Sequence, residues 1–291
     1  MNHVDNAVIM AAGTSSRFAP LSYERPKALI EVKGEVLIER QIRQLKEAGV
    51  PEIYVVTGYK QEAFRYLTGK FGVKILDNPD FNTRNNNASI KAAEEVLNNS
   101  YVCSADNYFL HNPFERDVSG AYYAAVFSQG PTKEWCIRCD TDDVIREVTV
   151  SGENTWYMLG HTFWDAQFSA AFRRILDEEY HLPETADKLW EDIYIEHLNE
   201  LTMKIRRYPD DYIFEFDSLD ELREFDHEYI KNTHSVILRD ISRKLGIGEE
   251  EFRSITAFKD HTNEAAGFTF KARDLTYSYT YESGQLKVQG D

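Results

Sequence analysis

The chain has 291 residues, 28% charged and 42% hydrophobic, with a formal net charge of -16 and a pI near 5.0. That length allows one large core and a small appendage, and so acidic a balance opposes counterion-release binding to nucleic acid and to anionic membranes. With no cationic apolar leader and no run of about 18 apolar residues, the expectation is a cytoplasmic protein without membrane insertion.

Residues 6–10 read as a short apolar strand that runs into Ala11, Ala12, Gly13, Thr14, Ser15 and Ser16. Such small residues let backbone N–H groups approach an anion closely, as a phosphate-binding loop requires. Arg17 and Lys27 add cationic donors, and Pro26 fixes the backbone just before the lysine. Next comes a helix marked by Ile38, Ile42 and Leu45 and stopped by Gly49, then a buried strand over residues 52–57, a helix over 61–67 and a strand over 73–76. A helix over residues 87–97 and a strand over 101–104 follow, ending at Ala105-Asp106-Asn107. This alternation predicts an α/β sheet, in which ligands bind beyond the carboxyl ends of the strands.

From Ala121 the texture changes to extended runs over residues 121–127, 134–138, 144–150 and 156–163, which predicts a mixed extension of the sheet. The three cysteines are too few for a disulfide framework. Cys136 and Cys139 form a C-x-x-C inside one extended run, placing their side chains on opposite faces, and read as structural free thiols. Helices are expected over 166–178 and around 188–198. Ser218-Leu219-Asp220-Glu221 matches a capping box opening a helix that runs to Tyr229, which places Asp217 at a strand-to-helix junction. Residues 231–234 read as a linker, followed by a helix with Ile237, Ile241 and Leu245 on one face and Gly246 as its stop. Three strands are expected after it, over 254–258, 267–272 and 275–281. The predicted domains are 1–232, catalytic, and 233–291, a small α+β appendage with too little chain for a core of its own.

Asp106 and Asp217 each end a predicted strand. Carboxylates beside phosphate call for a hard cation between them, and Mg²⁺ accepts one or two carboxylates together with phosphate oxygens.

These features resemble the nucleotidyltransferases that activate small phosphates with a nucleoside triphosphate, whose opening motif places residues as Gly13, Arg17, Pro26 and Lys27 stand here. Within them the chain is most similar to the bacterial phosphocholine cytidylyltransferases, over roughly residues 8–229. The blocks that carry the likeness are Asn85-Asn86-Asn87-Ala88-Ser89, Ser100-Tyr101, Ala105-Asp106-Asn107-Tyr108, Thr132-Lys133-Glu134-Trp135, Phe163-Trp164-Asp165, Leu189-Trp190-Glu191 and Glu215-Phe216-Asp217-Ser218. The resemblance implies a Rossmann-like nucleotidyltransferase fold with a mixed central sheet, and cytidylyl transfer from CTP to phosphocholine, giving CDP-choline and pyrophosphate.

It also implies roles at the matching positions. Ala11, Ala12, Gly13, Thr14 and Arg17 would cradle the triphosphate, Lys27 would steady the α-phosphate, and Asp106 with Asp217 would hold Mg²⁺. Asn85, Ser89 and Ala105 would contact the nucleoside. A trimethylammonium group is best held by aromatic faces and a carboxylate, so Trp135, Trp164, Trp190, Tyr108 and Glu191 or Asp192 are the expected acceptor pocket. Ser15 stands where these enzymes usually carry a second glycine, which puts the local backbone conformation in question. Phosphoethanolamine, an aminoalkylphosphonate and a sugar 1-phosphate are alternative acceptors, and a catalytically idle nucleotide-binding regulator is the alternative of another class. Thr262-Asn263-Glu264 ahead of residues 267–270 faintly resembles the first strands of choline-kinase-like folds, the remnant of a fused kinase. The expectation preferred for the tail is a structural appendage or a homodimer contact.

Overall fold

A computed structural model of the chain describes residues 1–261 and 265–289, so the stretch Thr262-Asn263-Glu264 lies outside the described residues. The chain divides into two compact units. The larger is built from Met1–Gly13 and Leu37–Glu215, the smaller from Thr14–Val36 and Phe216–Asp291. This differs from a division at residue 232: the smaller unit takes in an early segment of the chain, for reasons given below.

In the larger unit, β1 (Asn6–Ala11) is apolar and almost wholly buried, as a strand covered on both faces must be. It lies between β2 (Glu52–Thr57) and β4 (Ser100–Ser104), parallel to both, while β3 (Lys74–Asp77), which follows helix α2 (Tyr66–Phe71), extends the sheet beyond β2. Helix α1 (Leu37–Glu47) buries Leu37, Ile38, Ile42 and Leu45 at helical spacing. The chain then turns at Gly49, whose φ of 81° only glycine adopts freely. After the short β5 (Asn107–Phe109), the strands β6 (Tyr122–Cys139) and β7 (Ile145–Trp164) form one long antiparallel hairpin. β8 (Lys204–Arg207) runs parallel to the start of β6, and β7 ends beside β4, so the seven-stranded order is β8-β6-β7-β4-β1-β2-β3.

Four strands expected in this region are thus two. The register shifts at Ser128/Pro131 and Thr132/Trp135 fall where the sequence pattern breaks. Positive φ values at Gly130, Ser151 and Asn154 bend the ribbon there. Cys136 registers with both Thr149 and Tyr157, and Val144 near the hairpin turn bridges to Lys204, so the ribbon doubles back toward β8. All three cysteines are free thiols. Between the sheet and helices α4 (Ala166–Glu179) and α5 (Trp190–Glu196) lies an aromatic core. The Trp164 indole packs 4.7 Å from Phe172, 4.9 Å from Phe168 and 5.1 Å from Trp190, centroid to centroid.

The smaller unit holds α6 (Leu219–Phe225), α7 (Val236–Leu245) and an antiparallel sheet of β10 (Arg253–Lys259), β11 (Ala265–Ala272), β12 (Leu275–Thr280) and β13 (Gln285–Val288), with β9 (Ile213–Glu215) belonging to the larger unit. Among the described residues the tail therefore has four strands where three were expected. Phe252, Phe268 and Phe270 are buried at its centre. Residues 231–234 do not form a loose linker: Thr233 is fully buried, and its backbone N–H and hydroxyl both donate to Glu249 Oε2 at 2.7 Å. Among the described residues, no helix is long and apolar enough to cross a membrane.

Gly267 carries a steric constraint, because a Cβ built there would stand 2.0 Å from the Tyr279 backbone oxygen and 2.6 Å from Phe258 Cζ. Gly267→Ala should therefore cost about 1–3 kcal/mol of stability, seen as a lowered denaturation midpoint.

Candidate functional site

The carboxyl ends of the parallel strands are sewn into loops by backbone hydrogen bonds. The Ala105 N–H donates to Met10 O at 3.1 Å, and the Tyr59 N–H to Ala12 O at 3.0 Å. Ala11, Ala12 and Ala105 are buried, whereas Gly13 is exposed, and a Cβ on it would meet nothing within 4 Å. The loop that opens after β1 thus presents bare backbone, the surface an anion needs.

Asp106 follows Ala105 and is half-buried. Its flanks are held by α1: Gln41 Nε2 donates to Ser104 O at 3.0 Å, Gln44 Nε2 to Phe109 O at 3.1 Å and Arg40 Nε to Phe109 O at 3.0 Å. Sequence reasoning missed these three residues, whose polar character on an otherwise apolar helix face is the one signal that marks them. Asn107, buried, donates to Glu215 Oε2 at 3.3 Å along the β5–β9 pairing. Tyr108 is buried under the Arg40 guanidinium, 4.6 Å from its ring centroid.

Asn85, Asn86 and Asn87, at the start of α3 (Asn87–Ala93), act mainly as a clamp on the segment that leads into α5. Asn85 Nδ2 donates to Asp187 O at 3.0 Å, and Asn87 Nδ2 donates to Thr185 O and Lys188 O. Asn86 Oδ1 accepts from the Trp190 N–H at 2.7 Å, while its Nδ2 donates to Glu191 Oε2 at 3.1 Å. Of the three positions expected to contact a nucleoside, Asn85 is exposed whereas Ser89 and Ala105 are buried, and Ser89 Oγ accepts from Asn78 Nδ2 at 3.2 Å.

The expected aromatic pocket is redistributed. Trp164 and Trp190 are 0% and 1% exposed and stand in the core, because β7 ends beneath α4 and the first residue of α5 points at the sheet. Neither indole presents a face to solvent, which corrects the expectation that both line a cage. Trp135 on β6 is half-buried. Asp192 folds back to accept the Leu189 N–H at 2.8 Å and serves as a helix cap. Glu191 is the unusual group: it is buried and accepts from Asn86 and from the Tyr123 hydroxyl at 3.2 Å, while the Tyr123 ring stacks on Trp190. Burial outweighs these hydrogen bonds and pushes its carboxyl up from 4.5 to about 7.

In the smaller unit, Thr14 is exposed and Ser15 takes the left-handed conformation at φ 48°, ψ 46°. Serine thus adopts a backbone geometry that glycine reaches at lower cost. Arg17 Nη1 donates to Asp217 Oδ2 at 2.5 Å, and Lys27 Nζ lies 3.8 Å from Asp217 Oδ1. Lys27 is only 5% exposed, with Phe18 beneath it at 5.7 Å. A buried ammonium is costly without a counter-charge, and Asp217 supplies one. Asp217 is itself set by the next helix: its N–H donates to Glu221 Oε2 at 2.7 Å, and Ser218 Oγ accepts the Glu221 N–H. The capping box is shifted by one residue from the usual pattern, so that it grips Asp217. Asp106 belongs to the larger unit and Asp217 to the smaller. Each is a hard oxygen donor of the kind a divalent cation takes. Among the described residues no three His, Cys, Asp or Glu side chains cluster to hold a metal ion.

Residues 7–141 match the MobA-like NTP transferase domain. The chain is 33% identical over 226 residues to the choline-phosphate cytidylyltransferase of Streptococcus pneumoniae, spanning 78% of this chain and 98% of that protein. It is 34% identical over 232 residues to the 2-aminoethylphosphonate cytidylyltransferase of Lancefieldella rimae, spanning 77% and 93%. The solved structure of the CTP:phosphocholine cytidylyltransferase from Streptococcus pneumoniae superposes with a TM-score of 0.74 at 32% identity, over 78% of this chain and 99% of that one.

Two outcomes follow from this geometry. Replacing Ser15 with glycine removes the left-handed penalty at the expense of a looser unfolded chain, and Ser15→Gly should gain about 0.5–1 kcal/mol in a denaturation measurement. Because the folded protein holds the Glu191 proton more tightly than the unfolded chain does, wild-type stability should fall as pH rises from 4.5 through about 7. Glu191→Gln should flatten that slope in thermal melts recorded across the window.

Proposed function

Because the chain belongs to the nucleotidyltransferase family that includes the bacterial choline-phosphate cytidylyltransferases, we propose that it transfers the cytidylyl group of CTP to phosphocholine. The observation that carries this reading is the end-to-end match, 98% of the pneumococcal relative at 33% identity. An acceptor phosphate oxygen bonds to the α-phosphorus while the bond to the β-phosphate's bridging oxygen breaks, and pyrophosphate leaves with that electron pair. The ionised acceptor is already a nucleophile, so positioning and charge neutralisation supply the rate without a general base.

Each chain group has one task in this scheme. Backbone N–H groups of Ala12 and Gly13, with Arg17, bind the triphosphate, and Lys27 meets the charge that develops on the α-phosphate. Ala11, Thr14, Asn85, Ser89 and Ala105 are assigned to the nucleotide. Asp106 and Asp217 are the carboxylates for Mg²⁺, which when bound neutralises phosphate charge. Asp217 pairs with both Arg17 and Lys27, so a triphosphate binding there offers phosphate oxygens to the same cations. For the acceptor's ammonium, the half-buried Trp135 offers an indole and the buried Glu191 a carboxylate; a desolvated cation–π contact is worth about 2 kcal/mol. The setting proposed for this reaction is the cytoplasm, where CTP is made.

A second acceptor is favoured by one finding: the Lancefieldella rimae relative, named for 2-aminoethylphosphonate, is as similar as the choline enzyme. Pyrophosphate release should be measured with Mg²⁺ and CTP against phosphocholine, phosphoethanolamine, 2-aminoethylphosphonate and glucose 1-phosphate. Phosphocholine is expected to be fastest, and Asp106→Ala should lower its rate by a factor on the order of a thousand. Faster turnover of glucose 1-phosphate would end the assignment, and equal background rates in wild type and Asp106→Ala would indicate an idle nucleotide binder.

A further inference from the structure

The segment that carries Arg17 and Lys27 is bound along its length by the C-terminal part of the smaller unit. Glu24 sits on the N-terminus of α7: its Oε1 accepts the Ser235 hydroxyl and the Ile237 N–H, each at 2.8 Å, and its Oε2 accepts the Val236 N–H at 3.1 Å. A carboxylate there satisfies free helix N–H groups and meets the positive end of the helix dipole. Next to it the Tyr23 ring lies flat on Tyr281, with centroids 3.6 Å apart and planes 2° from parallel. On the other side of Lys27, the Tyr229 hydroxyl donates to Glu31 O at 2.6 Å and the Lys33 N–H donates to Asp226 Oδ2 at 2.6 Å. Lys27 is therefore held between two anchored stretches of backbone, three residues from one and four from the other.

The relatives that match this chain cover less than four-fifths of it, and α7 with the four-stranded sheet comprises its last part. We infer that this C-terminal module positions the cationic loop, with Glu24 and the Tyr23–Tyr281 stack as positioning residues that act through Lys27 and Arg17. The reason is entropic and geometric. A loop of twenty-odd residues that must aim an ammonium at a phosphorus within about half an ångström loses rate steeply when it is free to shift. The anchors on either side of Lys27 order it before substrate arrives, so binding does not have to.

This inference rests on the cytidylyl-transfer reading, and its test separates the two. Full-length wild type, Tyr281→Ala, Tyr281→Phe and Glu24→Gln are compared for pyrophosphate release from CTP and phosphocholine, with melting curves for each. Tyr281→Ala and Glu24→Gln should lose about tenfold to a hundredfold in kcat, with the KM for phosphocholine unchanged, and Tyr281→Phe, which keeps the stacked ring, should return to the wild-type rate. Wild-type kcat in folded Tyr281→Ala and Glu24→Gln would overturn the inference, as would equal losses in Tyr281→Ala and Tyr281→Phe. If wild type transfers to no phosphorylated amine, the transfer reading fails instead. Calorimetry with CTP then decides the positioning role: about tenfold weaker binding by Tyr281→Ala supports it, and equal affinity overturns it.

Discussion

One carboxylate holds two cations. Arg17 and Lys27 repel each other, and Lys27 is nearly withdrawn from water, so their arrangement depends on Asp217, about two hundred residues further along the chain. The sequence must bring Asp217 back and fix it, and it does so through the Ser218–Glu221 turn that grips the aspartate's own backbone. A ligand rich in phosphate competes with that carboxylate on equal chemical terms, since both offer paired anionic oxygens to an arginine fork. Two cations on one carboxylate leave a net positive charge, which suits an anion.

In the larger unit a different device frames Asp106. Three polar side chains of α1 bond the carbonyls on either side of it, so the aspartate's backbone is ordered from a helix while its side chain is left to other partners. Around Glu191 the order is reversed. There the neighbours address the carboxylate itself, and the surrounding apolar core resists its charge. These are two ways to prepare an acid: one fixes where it stands, the other changes when it ionises.

Much of the sheet was legible because β1 and β2 are apolar runs of strand length bounded by small or polar residues, and α1 and α7 keep helical spacing up to a glycine. The long hairpin was not: its bulges interrupt the alternation, so each strand reads as two. The family was legible from Gly13, Arg17, Pro26 and Lys27 together with the later blocks, because few chemistries use that set together. Trp164 and Trp190 misled for the opposite reason. A tryptophan in a motif looks the same whether its ring faces a ligand or Phe172, and only packing distinguishes them. The partnership of residues 14–36 with the tail left no local signal, since Glu24 and Tyr23 are ordinary surface residues until the distant helix and ring are placed against them.

The smaller unit is assembled from two stretches of chain separated by residues 37–215 of the larger one. A piece built in this way cannot travel between genes as a cassette, nor be removed by shortening the reading frame at its far end. A stop codon after residue 232 would leave Glu24 facing no helix and Tyr23 facing no ring, so the cut would be felt within the first thirty residues of the protein.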